Sequence, residues 1–135
     1  MKCVMVIDKE LPLGLIANTA AVLAVSLGSK IQDIVGEDVL DGDGSVHPGI
    51  TQATISLLGG DNALIHTLRQ KMIAQAHAEL YYVDFCDVAQ RSKRYEEYRD
   101  SLSNCSQAAL NYLGLALYGP NKLVDRLTGN IPLLR

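Results

Sequence analysis

The chain has 135 residues, 48% of them apolar, and a formal charge of −3. That is the size of one ordinary domain, with enough apolar surface to build a core without staples. The acidic balance argues against a broad phosphate-binding surface, which would read as a basic patch. Cys3, Cys86 and Cys105 show no close pairing and no metal-ligand spacing; Cys3 and Cys86 lie in apolar runs and are expected to be reduced core residues.

The chain opens with a continuous apolar run over residues 3–7, the pattern of a strand buried on both faces of a sheet. Only Lys2 stands before that run and acidic residues follow it, which is not the pattern of a secretory signal. Asp8, Lys9 and Glu10 stop the strand, and Leu11-Pro12-Leu13-Gly14 makes a sharp passage into a helix over 15–27. That helix is apolar nearly all round, interrupted by Asn18, Thr19 and Ser26, so it is expected to be covered on every side, with Ala20, Leu23, Ala24 and Leu27 innermost. Its apolar stretch is short of the ~20 residues a membrane-spanning helix needs. The expected setting is the reducing cytoplasm, away from membranes.

Residues 29–50 are the least regular. Val39-Leu40 and Ser45-Val46 flank Asp41-Gly42-Asp43-Gly44, the pattern of a small hairpin. The same acidic stretch invites comparison with a calcium loop but lacks that loop's glycine at the sixth position and glutamate at the twelfth, so turn chemistry is the better account. Residues 51–58 alternate, predicting a strand with one packed face that Gly59-Gly60 ends, and Asp61 is a natural N-cap for the helix that follows. In that helix Leu64, Ile65, Leu68, Met72 and Ala76 form one stripe; His66 and His77 have no acidic partner at helical spacing and read as solvated residues rather than ligands. Residues 80–86 read as a third strand with one acid, Asp84, inside it, best explained as an edge or end position facing water. Residues 87–102 form a charged amphipathic helix with a Tyr95, Tyr98, Leu102 seam. A fourth buried strand over 110–118 is closed by Gly119-Pro120, followed by a short helix and an apolar tail, residues 131–134, that should dock.

Four strands alternating with helices predict one α/β domain over residues 1–135. The C-terminal run Gly119-Pro120, a short helix carrying Val124 and Asp125, then Thr128-Gly129-Asn130 and the apolar tail resembles the ending of type-2 peptidyl-tRNA hydrolases. The opening strand, the turn with Gly14 and the Ala17-Asn18 helix are similar to their opening. Over nearly the whole chain, Leu11-Pro12-Leu13-Gly14-Leu15, His47-Pro48-Gly49 and the run from Leu113 to Pro120 resemble an uncharacterised bacterial family, a domain of unknown function grouped with that superfamily. The resemblance implies a three-layer α/β/α sandwich around a four-stranded mixed sheet.

The hydrolase chemistry transfers in part. The turn after the first strand has no lysine, where the hydrolases carry them, and Lys9 is the nearest cation. Asp87 to Gln90 matches the start of their aspartate-led polar loop, with a charged helix inserted after it. Three readings follow. One is a domain binding a small molecule or peptide beyond the carboxyl ends of the strands, where open α/β sheets place ligands, with Asp8, Gly14, Asn18 and Gln90 as binding residues. Another is a hydrolase of an acyl or aminoacyl bond, with Asp87, Lys9 and His47 as candidate catalytic groups. The last is a non-catalytic interaction subunit, a homodimer. No phosphate loop, dinucleotide fingerprint or metal-ligand spacing occurs, so neither cofactor nor metal is expected, and tRNA is not the expected partner of so acidic a chain.

Overall fold

The computed structural model describes residues 1–135. Strand β1 (Lys2–Asp8) runs through the middle of a four-stranded mixed sheet. It pairs in parallel with β4 (Ile55–Gly60) and antiparallel with β6 (Tyr112–Gly119), and β6 pairs antiparallel with β5 (Tyr81–Cys86), giving the order β4-β1-β6-β5. Because β1 is central, both its faces are covered and its apolar run is unbroken. Val4 and Val6 enter one core layer with Ile65, Leu115, Leu117 and Val124; Cys3, Met5 and Ile7 enter the other with Leu23, Leu27 and Ala116. Helix α2 (Asn62–Gln75) and α5 (Asn121–Thr128) cover the first face, and α1 (Leu13–Gly28) covers the second. Two further helices, α3 (Asp87–Arg91) and α4 (Tyr95–Ser103), follow β5, and a hairpin of β2 (Val39–Leu40) and β3 (Val46–His47) stands between α1 and β4. No helix is long and apolar enough to cross a membrane.

The four expected strands are present, with shifted ends. The alternating run begins pairing only at Ile55 and continues through Gly59 and Gly60, which were expected to stop it. Gly60 is instead a packing residue: a Cβ there would come within 2.9 Å of Val6 and 3.2 Å of Leu64, so its bareness lets α2 close on the sheet. Nor is this strand one-faced, since Leu57 packs with the α1 layer and Leu58 with the α2 layer. The expected hairpin forms, and Asp41 shapes it, accepting the N–H groups of Asp43 and Ser45 at 2.9 and 3.0 Å. Asp61 caps α2 by accepting the Leu64 N–H at 2.8 Å. The tail docks: Leu133 bridges to Leu58, and the Leu134 N–H donates to the Leu57 carbonyl at 2.9 Å, closing the outer edge of β4.

Helix α1 corrects the expectation of all-round cover. Leu23 and Leu27 are buried, at 0% and 2% exposure, but Ala20 and Ala24 are only partly so. Its outer stripe of Leu13, Ala17, Ala21 and Val25 faces away from the sheet, with Leu13 82% and Val25 75% exposed. The polar residue it buries is Thr19, which lies against Gly114 where a Cβ would come within 2.6 Å of the Thr19 methyl. Asn18, one residue earlier, is turned about 100° away and is exposed.

This division of α1 is testable by a pair of substitutions. Leu23→Ala should destabilise the protein by about 2–5 kcal/mol, as expected of a buried leucine truncation. Val25→Ala should change stability by less than about 0.5 kcal/mol. Equal losses in a denaturant titration would show that α1 is covered on both sides.

Candidate functional site

The carboxyl ends of β1, β4 and β5 and the start of β6 share one edge of the sheet. At the β5 end of that edge a polar chain crosses from strand to strand. Asp87 is the first residue of α3. Its carboxylate accepts the Asn111 side-chain amide at 3.1 Å, the Asn111 backbone N–H at 3.2 Å and the Val88 N–H at 2.9 Å, and pairs with Arg91 at 3.3 Å. Asn62, in the first turn of α2, continues the chain: its side-chain amide donates to the Asn111 side-chain Oδ1 at 3.3 Å, and its own side-chain oxygen accepts the Tyr112 N–H at 2.6 Å. The register slips between Phe85 and Cys86, and beyond the slip the Asp87 N–H still donates to the Asn111 backbone carbonyl at 2.9 Å, so these side chains reinforce the β5–β6 end at an irregularity in the ladder.

Partial burial works to raise the Asp87 pKa, but the hydrogen bonds from Asn111 and Val88 and the Arg91 charge outweigh it and hold the carboxyl below the usual range. Such a group is ionised at neutral pH and a weak proton acceptor, an anchor more than a general base. Neither Asn62 nor Asn111 was singled out from the sequence. Asn62 directly follows the Asp61 cap and Asn111 opens an apolar run, so both read as element boundaries.

The other expected site residues are dispersed. The Lys9 N–H donates to the Gly60 carbonyl at 3.0 Å, and its Cβ lies over Gly59, so Lys9 sits toward β4. From β1 to β5 is two strand spacings, about 10 Å. Asp8 accepts the N–H of Glu10 at 3.0 Å, closing its own turn. Gly14 and Asn18 are exposed on α1, and Gln90 is exposed on α3. His47 is held in its hairpin, its Nε2 2.8 Å from Asp41, and this contact with the Ser45 and Asp43 N–H groups keeps the Asp41 carboxyl below its usual range. The hairpin leaves α1 and re-enters at β4, at the amino ends of the parallel strands, the opposite edge from Asp87. The structure therefore joins Asp87 with Asn111, Asn62 and Arg91, and does not join it with Lys9, Asn18 or His47.

Asp84 does not simply face water. It pairs with Arg69 of α2 at 3.0 Å, and the Arg69 guanidinium lies 5.6 Å over the Tyr112 ring. His66 meets the same ring edge-on at 4.7 Å and lies 2.7 Å from the Leu110 carbonyl, so it is a half-buried packing residue. The three cysteines are free; burial pushes the Cys3 thiol up to about 11 and raises that of Cys86, which makes both poor nucleophiles.

A groove opens on the outer side of β5. Between α1, the outer edge of β5 and the α3–α4 segment lies a cavity of about 360 Å³. Val22, Val83, Phe85 and Ala89 supply apolar walls, and Lys93 and Arg94 stand on its rim with no ion-pair partner. Unlike β4, β5 has no strand or tail on its outer edge. Hollows of about 570 Å³ between α2 and α5 and about 660 Å³ beside the hairpin base are larger, but neither runs along an open strand.

The fold and this surface define a small α/β protein with a mixed four-stranded sheet, a polar anchor at one sheet edge and a groove beside it. The chain belongs to the DUF2000 family, described as a protein of unknown function, whose model matches residues 1–135. It is similar in structure to the protein of unknown function Atu0240 from Agrobacterium tumefaciens str. C58, at a TM-score of 0.85 and 19% identity, covering 98% of this chain and 96% of that one. No curated protein matches it.

The Asp87 anchor predicts a pH dependence. With its folded pKa depressed, Asp87 adds stability that is present above the unfolded aspartate value of about 3.9 and is lost as pH falls through the folded value. Asn111→Ala should cost about 1–3 kcal/mol at neutral pH and flatten this part of the acid dependence. An unchanged acid unfolding profile would show that the contacts do not hold the carboxylate.

Proposed function

We propose that this protein is a non-catalytic peptide-binding domain whose site is the groove along the open edge of β5, fixed at one end by the Asp87–Asn111–Asn62 anchor. The observation that carries this reading is the groove's composition: an unpaired strand edge, an apolar wall and two cations without partners. An extended chain satisfies all three at once, adding main-chain hydrogen bonds to β5, apolar side chains against Val83 and Phe85, and acidic side chains opposite Lys93 and Arg94. The site lies beside β5 rather than beyond the carboxyl ends of the strands. The rest of the proposal is a single domain of type-2 peptidyl-tRNA hydrolase-like fold working in the bacterial cytoplasm. Its support is the resemblance of the opening and closing segments, the mixed four-stranded sheet and the three free thiols.

Hydrolysis of an acyl or peptidyl-tRNA bond is the weaker reading. It needs a base of suitable pKa and cations for the phosphates. Asp87 is held ionised, Lys9 stands apart from it, and Arg91 is engaged by Asp87. Fluorescence anisotropy with a labelled glutamate-rich extended peptide should show saturable, salt-sensitive binding, weakened about tenfold or more by Lys93→Glu with Arg94→Glu. Turnover of a peptidyl-tRNA at low salt, lost in Asp87→Ala or Lys9→Ala, would reverse the ranking.

A further inference from the structure

The β2–β3 hairpin does not bury itself. Every residue from 37 to 48 is exposed, including Val39, Leu40 and Val46, and Ile50 beside it is 80% exposed. Two paired residues per strand are far too few to stand alone in water. Its base, however, is built with care. Val35 bridges to Thr51, the Gly36 N–H donates to the Ile50 carbonyl at 2.9 Å, and the Gly49 N–H donates to Asp38 at 3.0 Å. Gly49 passes so close to the Gly36 carbonyl that a Cβ there would fall within 1.8 Å of it. The hairpin is thus a shaped projection with an apolar surface and no cover from its own chain.

Its charge identifies its cover. Glu37, Asp38, Asp41 and Asp43 lie in it, and no lysine or arginine occurs between Lys30 and Arg69. The Glu37 and Asp43 carboxylates form neither hydrogen bonds nor ion pairs. The complementary surface on the same molecule is the β5 groove, with its open strand edge, its apolar wall and the unpaired Lys93 and Arg94. Hairpin and groove lie on different parts of one chain, so two copies related by a two-fold axis satisfy both pairs at once.

We propose that the protein is a homodimer in which the acidic hairpin of each copy docks in the β5 groove of the other, its exposed strand edge extending the β5 ladder. The inference rests on the peptide-binding reading of the groove and names its occupant. Val39, Leu40 and Val46 cover Val22, Val83 and Phe85, and Glu37 and Asp43 meet Lys93 and Arg94. The partner's hairpin closes the one sheet edge that the chain leaves bare.

The test is sedimentation velocity over a concentration series at low and high salt, with anisotropy of a labelled synthetic peptide of residues 37–50. The expected result is a dimer that weakens with salt, because the contacts at its rim are charged. Glu37→Lys with Asp43→Lys should weaken it about tenfold or more, as should Lys93→Glu with Arg94→Glu, and all four changes in one chain should restore it. All four substituted positions are exposed, so unchanged thermal unfolding of each variant checks that folding is intact. A dimer indifferent to both reversals would place the interface elsewhere, for example on the outer stripe of α1, and overturn the inference. A monomer at all concentrations whose groove still binds the glutamate-rich peptide would overturn the inference and leave the peptide-binding reading standing. A monomer whose open groove binds neither peptide would overturn both.

Discussion

The structure depends on β1 being buried on both faces. Its residues from Cys3 to Ile7 have almost no exposure, and they alternate between two separate core layers. Each layer is assembled against this strand: α1 on one side, α2 and α5 on the other. A polar substitution anywhere in that run would place an unpaired group in one layer or the other. Close approach to the sheet is then obtained by omission of side chains. Gly114 admits Thr19 and Leu23 of α1, and Gly60 admits Leu64 of α2.

The two edges of the sheet are treated differently. The tail after α5 folds back along β4, and its hydrogen bonds to Leu57 and Gly59 cap that edge with the chain's own backbone. At β5 the chain instead turns into α3 at Asp87, and α3 and α4 stand beside the strand without pairing to it. A bare edge is an invitation to unwanted association unless something occupies or guards it. Beside that edge Lys93 and Arg94 carry charges with no ion-pair partner, so the two edges differ in electrostatics as well as in cover.

Asp87 joins the two aspects. It braces the β5–β6 end by receiving three N–H groups and a guanidinium, and it starts the short helix whose Ala89 lines the groove. A carboxylate so well supplied with donors is stable as an anion, and its value lies in fixing geometry. The same environment that anchors it removes the basicity that proton abstraction would need.

The sequence by itself determined the α/β class, the four strands, the capped α2 and the docked tail. Each of these rests on local information: unbroken apolar runs, alternation, an Asp61 cap, a Gly-Pro closure. Asp87 was singled out by the resemblance of its segment to the hydrolases' aspartate-led loop. The tertiary structure alone decided which of the polar residues meet. Asn62 and Asn111 lie 49 positions apart and come together because α2 and β6 are brought to one edge by strand order, which no local pattern encodes. The same order sends Lys9 toward β4 and His47 to the opposite edge, separating residues that sequence position had grouped with Asp87. The rotation of α1 was equally hidden. A helix without charges gives no sign of which side meets the sheet, and only packing against Gly114 and Ala116 set Thr19, Leu23 and Leu27 inward and left Leu13 and Val25 outside.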